Sequence, residues 1–81
     1  ESYMVYRTHG TCSTQIQFDL VDGRIYNVNF TGGCNGNLKG ICSLVEGMDA
    51  KEVISKLEGI CCGFKSTSCP DQLAQAIKQA L

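Results

Sequence analysis

The sequence lacks any apolar run near the ~18 residues that a membrane span requires, and no basic stretch followed by an apolar one reads as a signal peptide. A soluble, cytoplasmic protein is the expectation, with the note that the chain opens at Glu1 rather than Met, as a chain trimmed of a leader would. Charge of one sign is missing too: 7 Lys and Arg stand against 8 Asp and Glu, for a net charge of −1. Without a basic stripe to neutralise a phosphate backbone, nucleic acid is not expected as the main partner. Repeats, low-complexity tracts and linkers are also absent. The 81 residues fit one domain, residues 1–81, and leave no room for a second.

What the sequence does have is cysteine, six residues of it. Chains below roughly 80 residues often need a staple such as a metal, disulfides or oligomerisation, because their cores supply only a few kcal/mol. The remaining residues read as ordinary secondary structure. From Thr14 to Leu20, Ile16, Phe18 and Leu20 alternate with Gln15, Gln17 and Asp19, the pattern of a half-buried strand. A second alternation after Val21-Asp22-Gly23 sets Tyr26, Val28 and Phe30 apart from Asn27 and Asn29. The two segments, residues 14–20 and 24–31, predict an antiparallel hairpin. A two-residue Asp22-Gly23 loop would put the two apolar faces on opposite sides of the sheet. A three-residue loop pairs Leu20 with Arg24, Phe18 with Tyr26 and Ile16 with Val28, so the faces coincide, and it sets Cys12 level with Gly32. Tyr3 to Arg7 is expected to add a third strand.

Helical spacing follows. Leu38, Ile41, Cys42 and Val45 form an i, i+3, i+4, i+7 stripe ending near Gly47. Asp49 with Glu52 resembles a capping box for a second helix through Val53, Ile54 and Leu57, stopped by Gly59. Ser68 pairs with Asp71, and Pro70 suits the first turn of a C-terminal helix carrying Leu73, Ala76, Ile77 and Ala80. The expected class is α+β: a small antiparallel sheet against about three helices.

The cysteines then sort by position. A fully paired disulfide framework, with 15 ways to wire six cysteines, suits loop-rich domains with poor cores better than this chain. Cys42 falls on a buried helical stripe and is expected in the core as a small hydrophobe. Cys61 and Cys62 are neighbours whose side chains point apart, so one is expected to face inward. Cys34 just before the first helix and Cys69 at the start of the last occupy positions where helix dipoles and free amides favour thiolate, the form that binds metal. Gly63 to Ser68 is a polar loop able to fold back and bring Cys62 to Cys69. Cys12, Cys34, Cys62 and Cys69 are thus expected at one edge as ligands for zinc or an iron–sulfur cluster, although no C-x-x-C pair is present. A thiol–disulfide redox pair, Cys62 with Cys69, is the alternative from another class. A plain interaction domain, docking through its polar strand face or last helix, is the third. His9 is expected in a solvated turn, Asp71 in a capping role, and the glycines around Cys34 lack the Lys and spacing of a phosphate-binding loop.

Thr67-Ser68-Cys69-Pro70-Asp71 followed by Gln72-Leu73-Ala74 resembles the signature of the TSCPD-domain family, as do Gly33-Cys34-Asn35-Gly36-Asn37-Leu38, Gly59-Ile60, Cys62-Gly63 and Cys12-Ser13. The resemblance covers nearly the whole chain. It implies a small stand-alone protein of unknown activity or a domain attached to an adenosylcobalamin-dependent ribonucleotide reductase, hence an auxiliary role at such a reductase; it does not imply catalysis by this chain. A fainter resemblance runs to the U-type iron–sulfur scaffold proteins, with Cys12, Cys34 and Cys69 at the three ligand positions. The chain departs from that pattern at Thr14 and Ser68, where the scaffolds carry an aspartate and a histidine, and Cys62 would supply a fourth sulfur.

Overall fold

The structure, a computed structural model, describes residues 2–11, 13–33 and 35–81. Strands β1 (Ser2–Arg7), β2 (Ser13–Val21) and β3 (Arg24–Gly32) form an antiparallel sheet in the order β1-β2-β3, followed by helices α1 (Asn35–Val45), α2 (Ala50–Leu57) and α3 (Cys69–Ala80). The α+β expectation holds, including the N-terminal strand. No helix among the described residues is long and apolar enough to cross a membrane.

The hairpin register departs from expectation. The chain takes the two-residue loop: Val21 pairs with Arg24, Leu20 with Ile25 and Asp19 with Tyr26. Asp22 and Gly23 both have positive φ, 52° and 77°, as the favoured tight hairpin turn demands. The face mismatch such a loop implies is cancelled by a bulge. Gln17 pairs with Asn29 while Asp19 pairs with Tyr26, so Phe18 stands opposite two residues, Asn27 and Val28. Asn27 takes φ 56°, its amide donates to Glu46 Oε1 at 2.8 Å, and its side chain donates to Asp19 Oδ2 at 2.8 Å. The extra residue shifts the alternation, so Ile25 and Val28 are both buried and Tyr26 is only half-buried. Periodicity read the two halves of β3 as one strand face, but the bulge divides them.

A second bulge lies at the other end of the hairpin. Gln15 pairs with Thr31 and Ser13 with Gly32, which leaves Thr14 as the extra residue. Ser13, and not Cys12, is therefore the partner of Gly32, and Ser13 turns to the core side with 2% of its surface exposed. Cys12 and Cys34 lie outside the described residues.

Ile16, Phe18, Ile25, Val53, Leu73 and Ile77 are fully buried and form one cluster with Val28, Val45, Ala50 and Ala76. Each large side chain contributes about 1.5–3 kcal/mol by leaving water. α3 is the central helix, with Leu73, Ala74, Ala76 and Ile77 all buried. Asp49 caps α2 by accepting from the Lys51 amide at 2.9 Å. The segment before α2 covers the start of β3: Ile25 N donates to Met48 O at 3.0 Å and Gly47 N to Ile25 O at 2.7 Å.

Candidate functional site

Four polar side chains are buried among the described residues, Ser13, Ser68, Asp71 and Gln72. Each touches Cys69 or lies within three residues of it. Ser68 precedes α3 in an extended conformation. Its hydroxyl accepts from the Asp71 amide at 3.2 Å and donates to Ile60 O at 2.6 Å, so one side chain both caps the helix and ties down the incoming loop. Cys69 and Pro70 then form the first turn.

Asp71 was expected to complete the cap, but its carboxylate reaches outward to the loop. It accepts from the Thr67 hydroxyl, from Gly59 N at 2.7 Å and from Gln75 Nε2 at 3.3 Å. The Thr67 hydroxyl first, and the Gly59 amide second, hold the Asp71 carboxyl below its usual range. Gln72 donates to Thr67 Oγ1 at 2.9 Å and accepts from the His9 amide at 3.0 Å. One turn of α3 therefore fixes three separate pieces of chain, at residues 9, 59 and 67. The role of Asp71 is structural, as the sequence suggested, through partners it did not suggest.

Between these pieces the loop closes on itself. Cys62 N donates to Thr67 O at 3.1 Å and Lys65 N to Cys62 O at 3.0 Å, the fold-back expected of residues 63–68. Cys62 and Cys69 line one cleft of about 410 Å³ with Asn37, Leu38, Ile41, Ser68 and Pro70. Among the described residues no carboxylate or imidazole lines it. Ser13 Oγ meets Cys69 Sγ at 3.0 Å. Gly33 closes the same corner: at φ +82°, an added Cβ would lie 2.9 Å from Leu38 Cδ1 and 3.3 Å from Ser13 N. Only glycine accommodates both that conformation and that approach.

The signature around Cys69 lies within the match to a family model. The TSCPD-domain model covers residues 2–81. The chain belongs to the TSCPD family. No curated protein and no solved structure matches this TSCPD domain.

Cys69 is buried and Cys62 exposed. Cys61 is exposed as well, with its sulfur 3.5 Å from the carbonyls of Gly59 and Ser66, so neither member of the Cys61–Cys62 pair is buried, contrary to expectation. Cys42, Cys61 and Cys62 are free thiols, so the fully paired framework does not form. Cys42 packs against the core cluster, and burial pushes its thiol up from the usual value. His9 is exposed, its ring edge-on to Tyr6 at 6.4 Å. Among the described residues no three of His, Cys, Asp and Glu come together. They supply two sulfurs to the cleft, and any larger donor set must draw on Cys12 and Cys34, outside those residues. Ser13, Thr67 and Gln72 carry much of the site's geometry and were not singled out from sequence as individual residues. The signal for Thr67 and Gln72 was their place in the signature.

Proposed function

We propose that this TSCPD domain is a non-catalytic metal-binding domain, holding zinc or an iron–sulfur cluster on Cys12, Cys34, Cys62 and Cys69, and that it serves as an auxiliary to a ribonucleotide reductase. One observation carries the reading: Ser13 and Gly33, the chain neighbours of Cys12 and Cys34, meet each other at the corner where Ser13 touches Cys69, beside a cleft that Cys62 lines. A cleft whose described residues offer sulfur donors and no carboxylate suits soft or borderline ions over hard cations. Four thiolates close a tetrahedral site and leave no open position for substrate, which agrees with an auxiliary role. The link to a reductase rests on the family resemblance.

Elemental analysis with an absorption spectrum, on protein purified without oxygen or chelators, tests it. About one zinc or a coloured cluster per chain, lost in both Cys34→Ser and Cys69→Ser, is the expected result. Metal-free protein with titratable thiols overturns it and favours the second reading, which the shared cleft of Cys62 and Cys69 supports. There the two thiols reduce a partner's disulfide: the exposed Cys62 thiolate attacks, Cys69 displaces the partner, and two electrons and two protons pass as this chain becomes the disulfide.

A further inference from the structure

We infer that Ser13 is a positioning residue for the Cys69 sulfur, donating its hydroxyl proton to it; this rests on the metal-site reading above and deepens it. A serine hydroxyl has one proton to give, so its neighbours decide where that proton goes. Thr8 Oγ1 donates to the Ser13 carbonyl at 2.5 Å and Thr11 Oγ1 to the same carbonyl at 3.0 Å. The Thr11 proton is thereby committed to the carbonyl, and Thr11 Oγ1, at 3.3 Å from Ser13 Oγ, is left able only to accept. Cys69 Sγ is nearer to Ser13 Oγ, at 3.0 Å, a short approach for a sulfur acceptor, and a metal-bound thiolate has no proton with which to reciprocate. The Ser13 proton therefore points at sulfur.

The backbone is built to hold it there. The bulge at Thr14 turns Ser13 inward, the two threonines clamp its carbonyl, and Gly33 lies so near that a Cβ added there would come within 3.3 Å of its amide. A hydroxyl in a strand would ordinarily face water; this one is 98% covered, with 2% of the residue exposed. Hydrogen bonds to a ligand sulfur fix its orientation and tune the metal's affinity and potential.

The test uses the full chain with Co(II), whose thiolate charge-transfer bands report on the ligand sulfurs, in competition with a chromophoric chelator. Ser13→Ala should weaken Co(II) binding by about 10–100-fold and shift the charge-transfer band while the circular dichroism stays that of the wild type. Ser13→Thr, which keeps the hydroxyl, should restore the band position. Unchanged affinity and band in Ser13→Ala overturn the inference, as does an equal loss in both variants. If wild type binds no metal, the metal-site reading has failed by itself. The infrared S–H stretch of Cys69, identified as the band lost in Cys69→Ser, then decides the direction: a band that stays in place in Ser13→Ala supports Ser13 as the donor, and one that rises shows the thiol donating to Ser13 and overturns the inference.

Discussion

The two ends of this domain are held together by different physics. Around Phe18, Ile25, Val53, Leu73 and Ile77 the interior is apolar throughout, and its cohesion comes from surface removed from water, which is non-directional. Around Cys69 the buried groups are a hydroxyl at Ser13, a hydroxyl at Ser68, a carboxylate at Asp71 and an amide at Gln72. Their hydrogen bonds contribute modestly to net stability, but each fixes a distance and an angle. One end makes the chain fold, and the other sets where the sulfur stands. α3 belongs to both, with its first turn in the polar network and its later turns in the core.

The largest test of the contrast lies in the apolar end. Phe18→Ala should lower stability by about 3–5 kcal/mol, much of the ~5–15 kcal/mol a domain possesses, as read by urea denaturation. Since α3 spans both ends, the loss should appear as one cooperative transition. Two separated transitions would show instead that the polar end stands independently.

Asp71→Asn probes the polar end and should cost about 1–3 kcal/mol at neutral pH, because the Thr67 hydroxyl loses an anionic acceptor. The Asp71 carboxyl is held down in the folded protein. Its contribution is therefore fully present above the unfolded value near ~3.9 and lost as pH falls through the folded value. Denaturation of wild type and Asp71→Asn at pH 7 and again below pH ~3 should show the gap between them shrinking in acid. A gap constant with pH would mean that the carboxylate's charge plays no part in the clip.

The smallest effect sharpens the comparison by showing what lies outside both regions. Lys78 Nζ and Glu58 Oε2 are 2.5 Å apart, but their side chains remain 48% and 41% exposed. Lys78→Ala should change the unfolding free energy by less than about 1 kcal/mol, and less still at high salt.

The elements were legible in the sequence because they depend on local chemistry. Alternation gave β2 and β3, Ser68 and Asp49 marked two helix starts, and the stripe of Leu73, Ala76 and Ile77 gave the buried side of α3. Cys69 at the head of α3 and Cys62 on a folding-back loop were readable for the same reason. The hairpin register was not, because the choice between a three-residue loop and a two-residue loop with a bulge turns on whether something satisfies the bulge's amide. Here Glu46, nineteen residues away, does so.

The sequence by itself thus determined the α+β class, the order of its strands and helices, the apolar residues that could form a core and the family signature around Cys69. Those follow from periodicity, capping and side-chain type, all short-range properties of the chain. Only the tertiary structure decided that Ser13 turns inward to Cys69, that Asp71 clips residues 59 and 67 to α3, and that Cys61 and Cys62 both remain exposed. The first depends on a partner fifty-six residues away and the others on how the loop after α2 folds back on α3, and a buried polar group takes the orientation that its partner can satisfy.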